Sequence, residues 1–147
     1  LWLDPVNRQN VEELSGMNFF AMIDQCLVTP TLSGSILPGV TRDSLIKLAI
    51  HLGITTKEQV LPIDELLESI ESGRCTEAFA SGTAAIVSPI TSIGEPGGRD
   101  FELPVTGDVA HRLRSALLEI QEGRSNDEFQ WMIDSGDRGK LVDRLAR

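Results

Sequence analysis

The sequence predicts a mixed α/β domain. Short apolar strand patterns alternate along the chain with three segments of helical periodicity, and turn residues punctuate nearly every junction. The chain has 147 residues, 41% of them hydrophobic and 24% charged, which is enough for one ordinary globular core. No internal repeat, low-complexity tract or second domain interrupts it.

Asn18 to Asp24 is apolar and aromatic and reads as a strand, with Cys26 to Thr29 as its hairpin partner across Asp24-Gln25. A loop rich in Ser, Gly and Pro follows from Pro30 to Gly39. Thr41 is a helix cap by residue type, and Leu45, Leu48, Ala49 and Leu52 then fall on one helical face, stopped by Gly53. Glu58 to Pro62 is a strand candidate. A second helix is expected from a cap at Asp64, through Leu66, Leu67 and Ile70, to Gly73. Cys75–Ala80 and Ala84–Ile90 read as strands around a turn at Ser81-Gly82-Thr83, and Gly94 to Gly98 as a further turn. Gly107 to Glu122 places Val109, Leu113, Ala116, Leu117 and Ile120 on a third helical stripe. The polar tail carries Phe129 and Trp131, which are expected to dock it.

A formal net charge of −9 argues against nucleic acid or an anionic membrane surface as partner. No run approaches the roughly 20 apolar residues of a membrane helix. Cys26 and Cys75 are too few and too distant for a disulfide framework or thiolate metal site, and read as buried reduced thiols of a cytoplasmic protein. His51 and His111 have no ligand-forming residue at metal-binding spacing, so no metal is expected. Glu65, Glu68 and Glu71 form a solvated acidic face. Ser33 and Ser35 lack the setting of an activated nucleophile. Leu1-Trp2-Leu3-Asp4 is neither a signal peptide nor a translation start, so the chain is expected to be cut from something longer.

Two loops carry chemical potential. Leu37-Pro-Gly-Val-Thr-Arg42 runs into a helix, where the Val40 and Thr41 N–H groups and the Thr41 hydroxyl could hold a phosphate. Ser81-Gly-Thr-Ala-Ala85 offers a second concave set of N–H donors. A well-capped helix and a tight turn explain the same residues without a ligand. Glu13, followed by Gly16 and Asn18, precedes the first long strand as a carboxylate beside a close-packed bend.

Three motifs, taken in order, carry a resemblance. Glu13-Leu-Ser-Gly-Met-Asn-Phe-Phe20, Thr29 through Leu45, and Phe79-Ala-Ser-Gly-Thr-Ala-Ala85 resemble the branched-chain amino acid aminotransferases, fold-type-IV enzymes that use pyridoxal 5′-phosphate. The likeness extends to Ile120-Gln-Glu-Gly-Arg124 and Phe129-Gln-Trp131. It implies that residues 1–147 are the C-terminal, large cofactor-binding domain, a pseudo-barrel of mixed strands flanked by helices, truncated at its N-terminal side and without the small domain. The implied activity is transamination between leucine, isoleucine or valine and 2-oxoglutarate, with branched-chain 2-oxo acids and glutamate as products. D-amino-acid aminotransferases and aminodeoxychorismate lyases share the fold and stand as the alternative.

The resemblance gives roles to single residues. Glu13 would pair with the pyridinium nitrogen and keep it protonated. Val40 and Thr41 would bind the cofactor phosphate, with Thr83 as a further ligand, and the N–H groups of Thr83 and Ala84 would receive the substrate carboxylate. The family's Schiff-base lysine, like its active-site tyrosines and phosphate-binding arginine, falls upstream of Leu1; Lys47, Lys57 and Lys140 do not match it, and the chain has no tyrosine. The fragment alone is therefore expected to be inactive. Ala85 and Ser88 occupy the slots where some relatives carry a redox-sensitive Cys-x-x-Cys. A homodimer is implied for the complete enzyme.

Overall fold

The computed structural model describes residues 1–104 and 107–133. Its centre is one long strand with three partners. Met17–Ile23 (β3) pairs along one edge with Cys75–Gly82 (β6), from Asn18 opposite Ser81 to Ile23 opposite Cys75. Its other edge is divided. Val11–Leu14 (β2) takes the beginning, with Glu13 opposite Asn18, and Cys26–Pro30 (β4) takes the end. Between the two hairpins the buried Thr29 hydroxyl donates to the Phe19 carbonyl at 2.7 Å, so the backbone group left where β2 and β4 part company is satisfied.

Both hairpins are made by two-residue loops with left-handed backbone at each position, Ser15-Gly16 (φ 50 and 84) and Asp24-Gln25 (φ 49 and 62). Such turns match the right-handed twist of the flanking strands. The sheet is completed by Trp2–Leu3 (β1) beside β2, Ile86–Ile90 (β7) beside β6, and Thr56–Gln59 (β5), which runs parallel to β4. After β5 the chain returns to β2, where Val11 N–H donates to Leu61 O and Ile63 N–H to Gln9 O. That return curls the sheet into the expected pseudo-barrel of mixed strands. A separate hairpin, Ser92–Gly94 (β8) with Asp100–Glu102 (β9), lies beyond it.

Because strand side chains alternate, β3 feeds two cores. Phe20 and Met22, with Phe79 and Leu27, pack under Val40–His51 (α1) and Asp108–Gln121 (α3). Phe20 and Phe79 stack at 5.1 Å between ring centres. Phe19, Ala21, Val28 and Ala78 face the other way, against Ile63–Glu71 (α2), through Leu66, Leu67 and Ile70. This explains why β3 reads as an unbroken apolar run: both faces are covered. The helical stripes expected around Leu45–Leu48–Ala49 and Leu113–Leu117–Ile120 are the buried ones.

Several expectations need correction. Thr41 does not cap α1; the N-cap is Gly39, with no side-chain hydrogen bond. Asp64 likewise lies inside α2, whose N-cap is Pro62. The strand expected over Glu58–Pro62 ends at Gln59, because Leu61 leaves to bond β2. Ser81 and Gly82 continue β6, so the turn moves to residues 83–85 and the next strand begins at Ile86. Cys75 is buried as expected, whereas Cys26 is half-buried. Glu65, Glu68 and Glu71 are exposed, and Phe129 docks against His51 and stacks on Trp131.

Candidate active site

The path from β4 to the parallel β5 crosses over through α1. The crossover is fastened by Arg42, a residue in the first turn of the helix whose side chain is only 5% exposed. Its guanidinium donates to the Pro30 carbonyl at the end of β4 (2.9 Å) and to Glu58 on β5 (2.6 Å). The α1 N-terminus is thereby fixed at the carboxyl end of β4, the end of a strand where ligands of α/β units commonly bind.

That N-terminus is bare. The first helical bond runs from Asp43 N–H to the Gly39 carbonyl, so the N–H groups of Val40, Thr41 and Arg42 precede the ladder, and among the described residues no side chain caps them. Val40 is 83% exposed. Three donors at the positive end of a 12-residue helix thus have no protein acceptor among the described residues.

Glu13 is joined to this cradle directly. Its Oε1 accepts the Leu37 N–H at 2.7 Å and the Asn18 side-chain amide at 3.3 Å, and the same Asn18 nitrogen donates to the Leu37 carbonyl at 2.9 Å. Among the described residues, Glu13 Oε2 makes no hydrogen bond. One oxygen of the carboxylate is pinned by two donors and the other stays open.

The second loop belongs to the same corner. Glu13, Asn18 and Ser81 lie in one row across β2, β3 and β6. Met17 packs on Gly82, where an added Cβ would come within 3.1 Å of its Cγ. Gly82 and Ile86 close the ladder, and Thr83 and Ala84 project beyond it, both exposed. Among the described residues neither of their N–H groups makes a backbone hydrogen bond. Ile86 takes a left-handed backbone (φ 60), and Val87 N–H closes a 2.7 Å bond onto the Ala85 carbonyl, a γ-turn. A β-branched residue in that region costs about 1–3 kcal/mol, the kind of strain that collects at ligand loops. The buried Ser81 Oγ, under the loop, has no hydrogen-bond partner among the described residues.

The structure therefore ties Glu13 to Leu37, three residues before Val40, and places Thr83–Ala84 just beyond the end of β6, two and three residues after Ser81. Asn18, Arg42 and Ser81 belong to the sequence motifs, but the sequence assigns none of them an individual role. For Asn18 and Ser81 the available signal is a polar residue near the end of an apolar strand. Lys47 pairs with Asp43 on the surface of α1 (2.7 Å), Lys57 is exposed on β5, and Lys140 lies outside the described residues.

Comparison with known proteins identifies the family. The family model for class IV amino-transferases matches residues 4–93. The branched-chain-amino-acid aminotransferase of Mycobacterium tuberculosis is 42% identical over 142 residues, covering 92% of this chain and 38% of that protein. Among solved structures, the branched-chain amino acid aminotransferase of Escherichia coli superposes with a TM-score of 0.73 at 33% identity, covering 87% of this chain and 40% of that one. The Thermobaculum terrenum enzyme, solved in its PLP form, gives 0.69 at 31% identity and covers 84% and 37%. This chain spans about two fifths of the length of these relatives. A bare helix N-terminus, a carboxylate wired to it and a match over most of the sheet lead to one conclusion: the chain belongs to the class IV aminotransferases.

Proposed function

We propose that this chain is the large, cofactor-binding domain of a branched-chain amino acid aminotransferase, which in the full-length enzyme follows a small domain and the segment bearing the reactive lysine. The observation that carries this reading is the hydrogen bond from Leu37 N–H to Glu13 Oε1, which couples a half-open carboxylate to an uncapped helix N-terminus. The cofactor of the family, pyridoxal 5′-phosphate, has a phosphate at one side of its ring and a basic nitrogen at another. The donor set fits both ends: among the described residues, N–H groups without acceptors for the first and an acceptor oxygen without a donor for the second.

When bound, that cofactor supplies an electron-accepting ring and a carbonyl carbon that carries the amino group. Glu13 Oε2 would accept the ring N–H and hold the proton at that nitrogen. Val40 and Thr41 would grip the phosphate by backbone N–H groups, aided by the helix dipole. Thr83 would add its hydroxyl to the phosphate, and the Thr83 and Ala84 N–H groups would orient a substrate carboxylate. The reading makes leucine, isoleucine or valine and 2-oxoglutarate the substrates, a second copy of the enzyme the partner, and the cytoplasm the compartment. The names of the relatives and the identity to them support the substrates; within the described residues no helix is long and apolar enough to cross a membrane.

The test is the full-length protein with pyridoxal phosphate, L-leucine and 2-oxoglutarate. Glu13→Gln is expected to retain the cofactor while losing most of the turnover. Turnover equal to the parent protein refutes the role of Glu13.

A further inference from the structure

Asn18 is 5% exposed, the one polar side chain at the head of an apolar strand, and burying it is costly unless its hydrogen bonds are made. The side-chain nitrogen makes its bonds in a closed ring. Leu37 N–H donates to Glu13 Oε1, Asn18 Nδ2 donates to the same oxygen, and Asn18 Nδ2 also donates to Leu37 O. The carboxamide thus ties the Leu37 carbonyl to the same carboxylate oxygen that the Leu37 N–H reaches. The other end of that carboxamide, Oδ1, lies against Gly39, the N-cap of α1, closely enough to exclude a Cβ there. Backbone pairing fixes Asn18 itself between Glu13 and Ser81.

A side chain that only filled a polar niche would need one of these contacts. Asn18 makes two hydrogen bonds, one to Glu13 and one to Leu37, residues that sequence separates by 24 positions. We propose that Asn18 is a positioning residue: it sets the spacing and orientation of the Glu13 carboxylate relative to the anion-binding first turn of α1, acting through Glu13 and Leu37 without touching the ligand. The inference rests on the cofactor reading above. Its consequence is that one substitution disturbs both ends of the cofactor contact together. A residue that merely supported the fold would lower stability without this signature.

The experiment uses the full-length protein and three readouts: pyridoxal phosphate titrated into the apoprotein, steady-state turnover, and thermal unfolding of the apoprotein. Asn18→Ala is expected to weaken cofactor affinity and slow turnover, each by about ten- to a hundredfold, the range seen when partners that orient metal ligands are removed. Asn18→Ser keeps a donor too short to span both acceptors and gives the same result if Asn18→Ala does not fold. Thr29→Ala removes a buried hydrogen bond to β3 away from the ring and is expected to lower the unfolding temperature while leaving affinity and turnover near the parent values. In a Glu13→Ala background, Asn18→Ala is expected to add little further loss of turnover, because the two residues act as a unit.

Parent-like affinity and turnover in the Asn18 variants, with Glu13→Ala impaired, overturns the positioning role alone. So does a full additive loss in the double variant, or the same loss of affinity in Thr29→Ala. A parent protein that binds no pyridoxal phosphate, or Glu13→Ala with full turnover, overturns the underlying reading instead.

Discussion

Asn18 and Gly39 meet where β3 passes the N-cap of α1, with no room between them for a methyl group. Gly39 has φ −67 and ψ 135, a conformation open to any residue, so glycine is required there for close approach alone. Gly39→Ala is expected to push the Asn18 carboxamide off the Leu37 carbonyl, at a cost of about 1–3 kcal/mol for overpacking. Urea unfolding and pyridoxal phosphate titration check this. Gly34→Ala, in the same loop but with nothing within 4 Å of an added Cβ, is the matched control and is expected to change neither.

The third helix is held to the sheet by a carboxylate 32 positions before it. Glu77 on β6 is 6% exposed, and its two oxygens accept Val109 N–H, each at 3.1 Å, while Oε2 also accepts Ala110 N–H at 3.1 Å. The N-cap of α3, Gly107, offers no side chain, so Glu77 satisfies orphan donors from outside the helix. Glu77→Gln keeps one acceptor and loses the charge facing the helix dipole, and is expected to cost about 1–2 kcal/mol in chemical denaturation. Glu77→Ala is expected to cost more and to speed amide exchange at Val109 and Ala110. Unchanged exchange at both amides would sink the capping role.

What the sequence made legible follows from how each residue is used. Phe19 and Phe20 announce β3 because both of its faces are packed, and Leu45, Leu48 and Ala49 announce α1 because one side of it is. β2 was not read as a strand. Its Glu12 and Glu13 look like a solvated linker, yet their carboxylates hold the following loop: Glu12 accepts from Ser33 and Ser35, Glu13 from Leu37. Residue type points to caps at Thr41 and Asp64 because it signals capping capacity, whereas the backbone turns two residues earlier in each case, at Gly39 and Pro62. Each anion-binding loop was visible singly from its glycine and small residues. Their union was not, since it depends on Asn18 lying between Glu13 and Ser81, a register that only strand pairing sets.

The two cysteines are expected to separate in reactivity. Cys75 is buried in the core against α2, and burial pushes its thiol up from 9.0 to about 11. Cys26 is half-buried beside the Asp24-Gln25 turn. At pH 8 an alkylating reagent is therefore expected to modify Cys26 in the native protein and Cys75 only after unfolding. The linkage has a definite sign. Because the folded value lies above the unfolded one, the contribution of the Cys75 thiol to stability is complete below pH 9 and is lost as pH rises through about 11. Stability should thus fall across that window, and Cys75→Ala should flatten the fall while lowering stability at neutral pH through the lost packing. Denaturation midpoints measured from pH 7 to pH 11 check both statements, and equal alkylation rates for Cys26 and Cys75 at pH 8 would contradict the burial on which they rest.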